Sequence, residues 1–136
     1  MTNIKSKVII GLVIFAIIII GLQISFHLRI KDVKIFEMKA NITDKGTGFN
    51  NNESVLDFGI VPKLSNSIKF IDISQTILDE AKVKIKLSGR LAKYVSVSES
   101  SFLLGNETKQ ISFTLNVPKN IKTGAYEGKV KLIFIK

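Results

Sequence analysis

Along this chain the spacing of apolar residues changes once, near residue 30. Val8 to Leu22 reads VIIGLVIFAIIIIGL, fifteen residues without a polar side chain, and the run thins through Gln23, Ser25 and His27 to Leu28. Coiled as a helix, residues 8–28 span about 31 Å at 1.5 Å per residue, close to the hydrocarbon thickness of a bilayer. Lys5 and Lys7 stand before the run and Arg29 and Lys31 after it, where long side chains can reach the headgroups. A cleaved signal peptide needs small residues at its cut site. The nearest alanine, Ala16, lies inside the run, and no A-x-A pattern follows. A pilin-type leader would place Gly or Ala after the basic residue, whereas Lys7 meets Val8 directly. Residues 1–29 are therefore expected to be one uncleaved anchor, with its transmembrane helix at about 8–28.

Beyond Arg29 the period becomes two. KVKIKL (82–87) sets Val83, Ile85 and Leu87 against three lysines. QISFTLNV (110–117) alternates Ile111, Phe113, Leu115 and Val117 with polar residues, and EGKVKLIFIK (127–136) aligns Val130, Leu132 and Phe134. Such alternation marks half-buried antiparallel strands with one solvated face. Further strands are expected at Val33–Met38, Val55–Phe58, Ile68–Ser74, Tyr94–Ser98 and Ser101–Leu104. Between them lie turn-forming stretches: GTGFNNN (46–52), Pro62, Ser88-Gly89, Gly105-Asn106 and VPKNIKTG (117–124). Short strands punctuated about every 8–12 residues predict an all-β, immunoglobulin-like antiparallel β-sandwich of about seven strands. Residues 30–54 read as a connecting segment with one strand, and 55–136 as the sandwich. Phe58, Phe70, Phe102, Phe113 and Phe134 are the bulky core candidates. No helix after the anchor is expected.

The stretch KTGAYEGKV (122–130) places Gly124, Tyr126 and Gly128 at every second position. Gly124 can take the positive φ of a turn entering a strand. A tyrosine just inside that strand can bury its ring and return its hydroxyl to the backbone, the logic of a tyrosine corner. Gly128, on the same face, leaves room for the ring or for a bulge. These features predict strand-entry packing. LDFGIVPKLSNSIKFIDIS (56–74) followed by YVSVSESSFLLGNETKQISFTLNVPKNIKTGAYEGKVKL (94–132) resembles the immunoglobulin-like modules of prokaryotic cell-surface proteins. It is similar to the alpha-galactosidase-associated and ASH-type (PapD/MSP-like) modules, as carried by small membrane-anchored archaeal proteins. Asp57, Phe58 and Gly59 match the opening motif of those modules, and Gly124, Tyr126 and Gly128 the closing one. Gln75 departs from the Asn often found after the second strand. The resemblance implies a binding or scaffolding role and brings no catalytic residues.

Modules of this kind usually follow the Gly-x-Tyr-x-Gly strand with one more strand, and here the sequence stops at Lys136. Ile133 and Ile135 continue the parity of Lys129 and Lys131, leaving apolar residues on a face expected to meet solvent. They form a candidate interaction edge. Either Ile30–Asn41 folds back to cover it, which is the expectation, or a neighbouring chain adds a strand in self-association.

Composition narrows the chemistry. The 136 residues include no cysteine, so disulfides, a lipoprotein anchor and thiolate metal sites are excluded, and the single histidine, His27, cannot build a multi-His site. Formal net charge is +9. Two of the 20 basic residues precede the apolar run, which leaves 18 against 11 acids afterwards, a net +7. That excess is dispersed, without a basic block or interleaved aromatics, so nucleic acid is not an expected partner. Asp79-Glu80 is the only adjacent acid pair, Asp57, Asp72 and Glu99 are scattered, and Ser100-Ser101 has no histidine partner. GTGFNNN lacks the lysine and following helix of a phosphate loop. No catalytic, metal or cofactor site is expected, and no enzymatic activity.

Orientation balances two signals. Two basic residues precede the anchor and Arg29, Lys31, Lys34 and Lys39 follow it, which by the positive-inside rule favours a cytoplasmic domain. Three N-x-[ST] sequons, at Asn41, Asn52 and Asn106, favour the outside and are candidate glycosylation sites. Together with the resemblance, they make an extracytoplasmic C-terminal domain the expectation. The chain is thus expected at the cell membrane as a single-pass, non-catalytic interaction module for envelope proteins or glycans. Alternatives are a subunit of an envelope machine or filament (archaellum-stator-like or pilin-like) and a cytoplasm-facing MSP-like adaptor.

Overall fold

The computed structural model describes residues 4–27, 29–46, 55–74 and 80–136, with the backbone alone for residues 5, 26 and 27. The apolar run forms helix α1 (Ile4–His27). A helix of a soluble protein hides at least one stripe of side chains. In α1 every side chain from 6 to 25 is exposed, and Ser6–Ser25 is long and apolar enough to cross a bilayer. An N-terminal apolar helix of this kind suits a membrane anchor or a signal sequence.

The remainder is β-structure in two sheets. The strands are β1 (Ile30–Thr43), β2 (Val55–Pro62), β3 (Asn66–Ile73), β4 (Ala81–Gly89), β5 (Val95–Val97), β6 (Ser101–Leu104), β7 (Lys109–Asn116) and β8 (Gly124–Ile135). A 3-10 turn, Leu91–Tyr94, leads into β5. The larger sheet runs β2-β1-β8-β4-β6 and the smaller β3-β7-β5. All pairs are antiparallel except β1 with β2.

Alternation decides what each strand buries. Val83 and Ile85 of β4, Ile111, Phe113 and Leu115 of β7, and Val130, Leu132 and Phe134 of β8 all turn into one core shared by both sheets. Val117, just past β7, joins them. Phe58, Phe102, Phe113 and Phe134 are buried there as expected. Phe70 is not: it is 60% exposed. The local sequence Ile68-Lys69-Phe70-Ile71-Asp72-Ile73 is apolar on both parities, so β3 alone cannot choose a face. Its neighbour chooses. Ile71 pairs with Ile111 and Phe70 with Ser112, and directly opposed residues share a face, so the clean alternation of β7 sends Phe70 outward.

The segment after α1 is not a connector beside the domain. β1, 14 residues long, pairs with β8 along nearly its whole length and with β2 from Glu37 onward, placing it between them in the larger sheet. Its ladder with β8 extends from Ile30 opposite Ile135 to Ile42 opposite Gly124. This is the expected cis cover, and it removes the free edge assigned to Ile133 and Ile135. β8 is an interior strand, with Ile133 opposite both Val33 and Lys84, and Ile135 opposite Ile30 and Lys82. Both isoleucines are partly buried.

Two expected outcomes follow for soluble fragments. One beginning at Ile30 should sediment as a monomer and melt cooperatively, whereas one beginning at Val55 should associate or unfold, because β8 then loses a whole ladder. Equal stability and monomeric behaviour in both would remove β1 from the fold's requirements. Within the longer fragment, Phe113→Ala should cost about 3–5 kcal/mol in denaturant titrations. Thr114→Ala, one residue along on the outer parity, should stay within about 0.5 kcal/mol; similar costs would contradict the register.

Candidate functional site

The two sequence motifs fold into neighbouring pieces of backbone engineering. In LDFG, Leu56 and Phe58 are buried and Gly59 has φ +71°, a left-handed conformation that costs other residues about 1–2 kcal/mol. The Asp57 carboxylate accepts a hydrogen bond from the Gly59 amide at 2.8 Å. The turn coincides with a register shift in the β1–β2 ladder, between Lys39 and Asn41. Asp57, Phe58 and Gly59 therefore make a β-bulge that keeps Val61 in phase with the core.

At the other motif, Gly124 enters β8 with φ +135°. The Tyr126 ring is buried, and its hydroxyl donates to the Lys122 carbonyl at 2.9 Å. Tyr94 meets the ring edge-on at 6.1 Å between centroids, and the Arg90 guanidinium lies 5.0 Å from its centre. The tyrosine is a structural clamp on the turn before β8. The space at Gly128 is used differently from the expectation. A Cβ there would come within 2.7 Å of the Ser88 carbonyl oxygen and 2.8 Å of the Met38 methyl, so the glycine admits β4 backbone and a β1 side chain rather than the tyrosine ring.

Of the sequons, Asn41 is exposed on β1 and Asn106 is exposed in the turn between β6 and β7. Asn52 lies outside the described residues, as do Gln75, Asp79 and the His27 side chain. Glu80 is exposed just before β4. Among the described residues, no group of three His, Cys, Asp or Glu could hold a metal ion.

One surface feature escaped the sequence reading. The turn between β2 and β3 holds Leu64 at φ +61°, a strained backbone for a branched side chain, with the side chain 73% exposed. Both flanks fix it: the Leu64 amide donates to the Val117 carbonyl and the Val117 amide to the Ser65 carbonyl, each at 3.0 Å. Leu64 rims an open groove with Asn66, Tyr94, Ser96, Asn116 and Pro118. Lys63 bonds to Thr43, the last residue of β1, so this groove lies at the end of the domain remote from α1. The strand run separating them is about 40 Å. A positive φ at leucine has no local sequence signal; the sequence marks a turn only at Pro62.

No protein-family model, curated protein or solved structure matches this chain.

Substitutions should separate the clamp from the close approach. Tyr126→Phe should cost about 0.5–1.5 kcal/mol, the worth of one hydrogen bond. Gly128→Ala should cost more, about 1–3 kcal/mol, because backbone as well as side chain must yield. Gly105→Ala, where an added Cβ meets nothing within 4 Å, is the control and should stay within about 0.5 kcal/mol. Thermal melts of the three variants check the order.

Proposed function

We propose that this chain is a single-pass membrane protein whose β domain is a non-catalytic, immunoglobulin-like interaction module of the cell envelope, holding envelope proteins or glycans near the membrane. The observation that carries the reading is the join between the two parts. A helix exposed along its described length passes, within two residues, into an interior strand of the domain. A tether of this kind does its work by local concentration, keeping the module beside its partners without any new contact.

The immunoglobulin-like reading draws on the strand arrangement. β8 begins with the tyrosine corner, and β1 lies antiparallel to β8 and parallel to β2. That is the relation expected of the strand that would follow β8 in such a module, supplied here from the N-terminal side. The remote groove around Leu64 is the surface offered to a partner, since strained residues held by their surroundings favour functional positions. The sequons at Asn41 and Asn106 support an extracytoplasmic domain.

The second reading, a subunit of an envelope assembly, draws on one different feature. β2 begins pairing with β1 only at Glu37, so among the described residues the stretch 30–36 has no neighbour on that side. Such a stretch could accept a strand from another copy.

The test is cross-linking in intact cells, followed by purification and quantitative mass spectrometry. The control joins the anchor to an unrelated domain. Envelope proteins or glycoconjugates enriched over the control are the expected outcome, and a profile identical to the control would defeat the module reading. Recovery of one large assembly of fixed composition would favour the second reading. Protease added to intact cells should remove the β domain, and full protection would place it in the cytoplasm.

A further inference from the structure

The outer face of the larger sheet has two unlike halves. Cross-strand partners define its rows, counted from the end where β1 leaves α1. The first row holds Ile30, Ile135, Lys82 and Leu103, the second Val33, Ile133, Lys84 and Ser101, and the third Ile35, Lys131 and Lys86. Among the described residues these three rows contain four lysines, six large apolar residues and no acid. The following rows hold Glu37 opposite Lys129, then Lys39 between Asp57 and Glu127. There the charges alternate, and Lys39 bonds Glu37 at 3.3 Å.

The half beside the anchor breaks two rules that a water-facing sheet keeps. Lys86 and Lys131 stand directly opposite each other, and like charges in that position repel. Leu103 is 67% exposed and Ile35 60%, on a face that ordinary solvent contact would keep polar. A further cation lies at the junction with the anchor: the Lys31 ammonium is buried without a hydrogen-bond partner in the structure. Repelling lysines and exposed isoleucines share one kind of suitable neighbour, a surface that is anionic outside and apolar just beneath.

We infer that this half-face, Val33, Ile35, Leu103, Ile133 and Ile135 with Lys82, Lys84, Lys86 and Lys131, docks on the anionic headgroups of the membrane that holds α1. The inference rests on the membrane-anchored reading. Two observations select lipid as the occupant. The patch is continuous with the anchor, since β1 begins within two residues of α1. Along β1 and β8 it ends at the row of Glu37 and Lys129, while exposed Asp32, on the opposite parity of β1, and Glu80, just before Lys82, flank it on the anchor side. Apolar residues enter the headgroup boundary while lysines pair with phosphates, the division of labour of interfacial amphipathic surfaces. The anchor-side half of the sheet then rests on the bilayer and leaves the Leu64 groove at the far end open.

The chain contains no cysteine, so one introduced thiol carries one label. The full-length protein is reconstituted in vesicles of phosphatidylcholine alone, or of phosphatidylcholine with about a third phosphatidylglycerol, each including a headgroup-nitroxide lipid. A fluorophore is attached through Ser101→Cys, exposed on the half-face, or through Phe70→Cys, exposed on the smaller sheet three residues from the anchor-side end of β3. Quenching at position 101, stronger with phosphatidylglycerol and weakened by about 0.5 M salt, with little at position 70, is the expected result. Reversing Lys86 and Lys131 to glutamate should lower the docked-to-free ratio at least about fivefold per lysine while the melt is retained. Equal quenching at both positions, or none at 101, overturns the docking while flotation after alkaline extraction leaves the anchor standing. If quenching is indifferent to phosphatidylglycerol and to charge reversal, the anionic surface is overturned as the occupant. Failure to float with the vesicles sinks the anchor and the docking together.

Discussion

The β1–β8 ladder is the constraint on which the rest of the structure depends. Twelve Cα pairs join the two strands, where a typical strand has only about 5–6 residues. Side-chain size is matched across it: Met38 faces Gly128, and Ala40 faces Tyr126. The methionine fills the space that the glycine vacates, and the small alanine lets the tyrosine ring sink toward its bond with the Lys122 carbonyl. Each exchange of volume fits only one register. A slip of one residue would place Met38 against a side chain and send the buried set of β1 to the outer face. The ladder therefore fixes both the pairing and the core.

This constraint also explains why the sequence was legible in some places and opaque in others. β4, β7 and β8 were readable because their alternation is strict and each strand has one polar face. The boundaries of β1 and β2 were too short in the sequence reading because pairing, not composition, extends them. Lys39, Asn41 and Thr43 look like the polar residues of a loop, yet each is paired with β2. Phe70 failed for the opposite reason, since β3 is apolar on both parities and took its direction from β7. Tyr126 was legible as a corner because its chemistry is local. Its bond spans four residues, whereas the space at Gly128 is filled by residues from β1 and β4, which no local reading could see. Leu64 was illegible because its strain comes from backbone bonds to Val117, more than fifty residues away.

The placement of β1 ties mechanics to function. Only residues 28 and 29 separate α1 from β1, so in the membrane-anchored proposal the domain is tied close to the bilayer. Linker length sets reach, and a two-residue joint gives very little. In that proposal the module samples partners in a thin layer near the bilayer, or those that reach its far end. The proposed function is then recognition at a fixed height rather than a search for distant ligands.

In the membrane-anchored proposal, fixed height gives the sheet's uneven outer face its meaning. A basic and apolar half-face of this kind would be a liability on a freely diffusing domain, since exposed apolar patches promote association. On a tethered one, the same surface is presented to one neighbour at very high local concentration, so weak contacts with headgroups suffice. The acids nearer the Leu64 end then have a complementary role: by neutralising Lys39 and Lys129 they limit how far along β1 and β8 the attraction extends. A sheet basic along its whole length would lie flat and draw its remote end toward the lipid. With the charge confined to the anchor side, the membrane can hold one end of the domain while the groove at the other remains accessible.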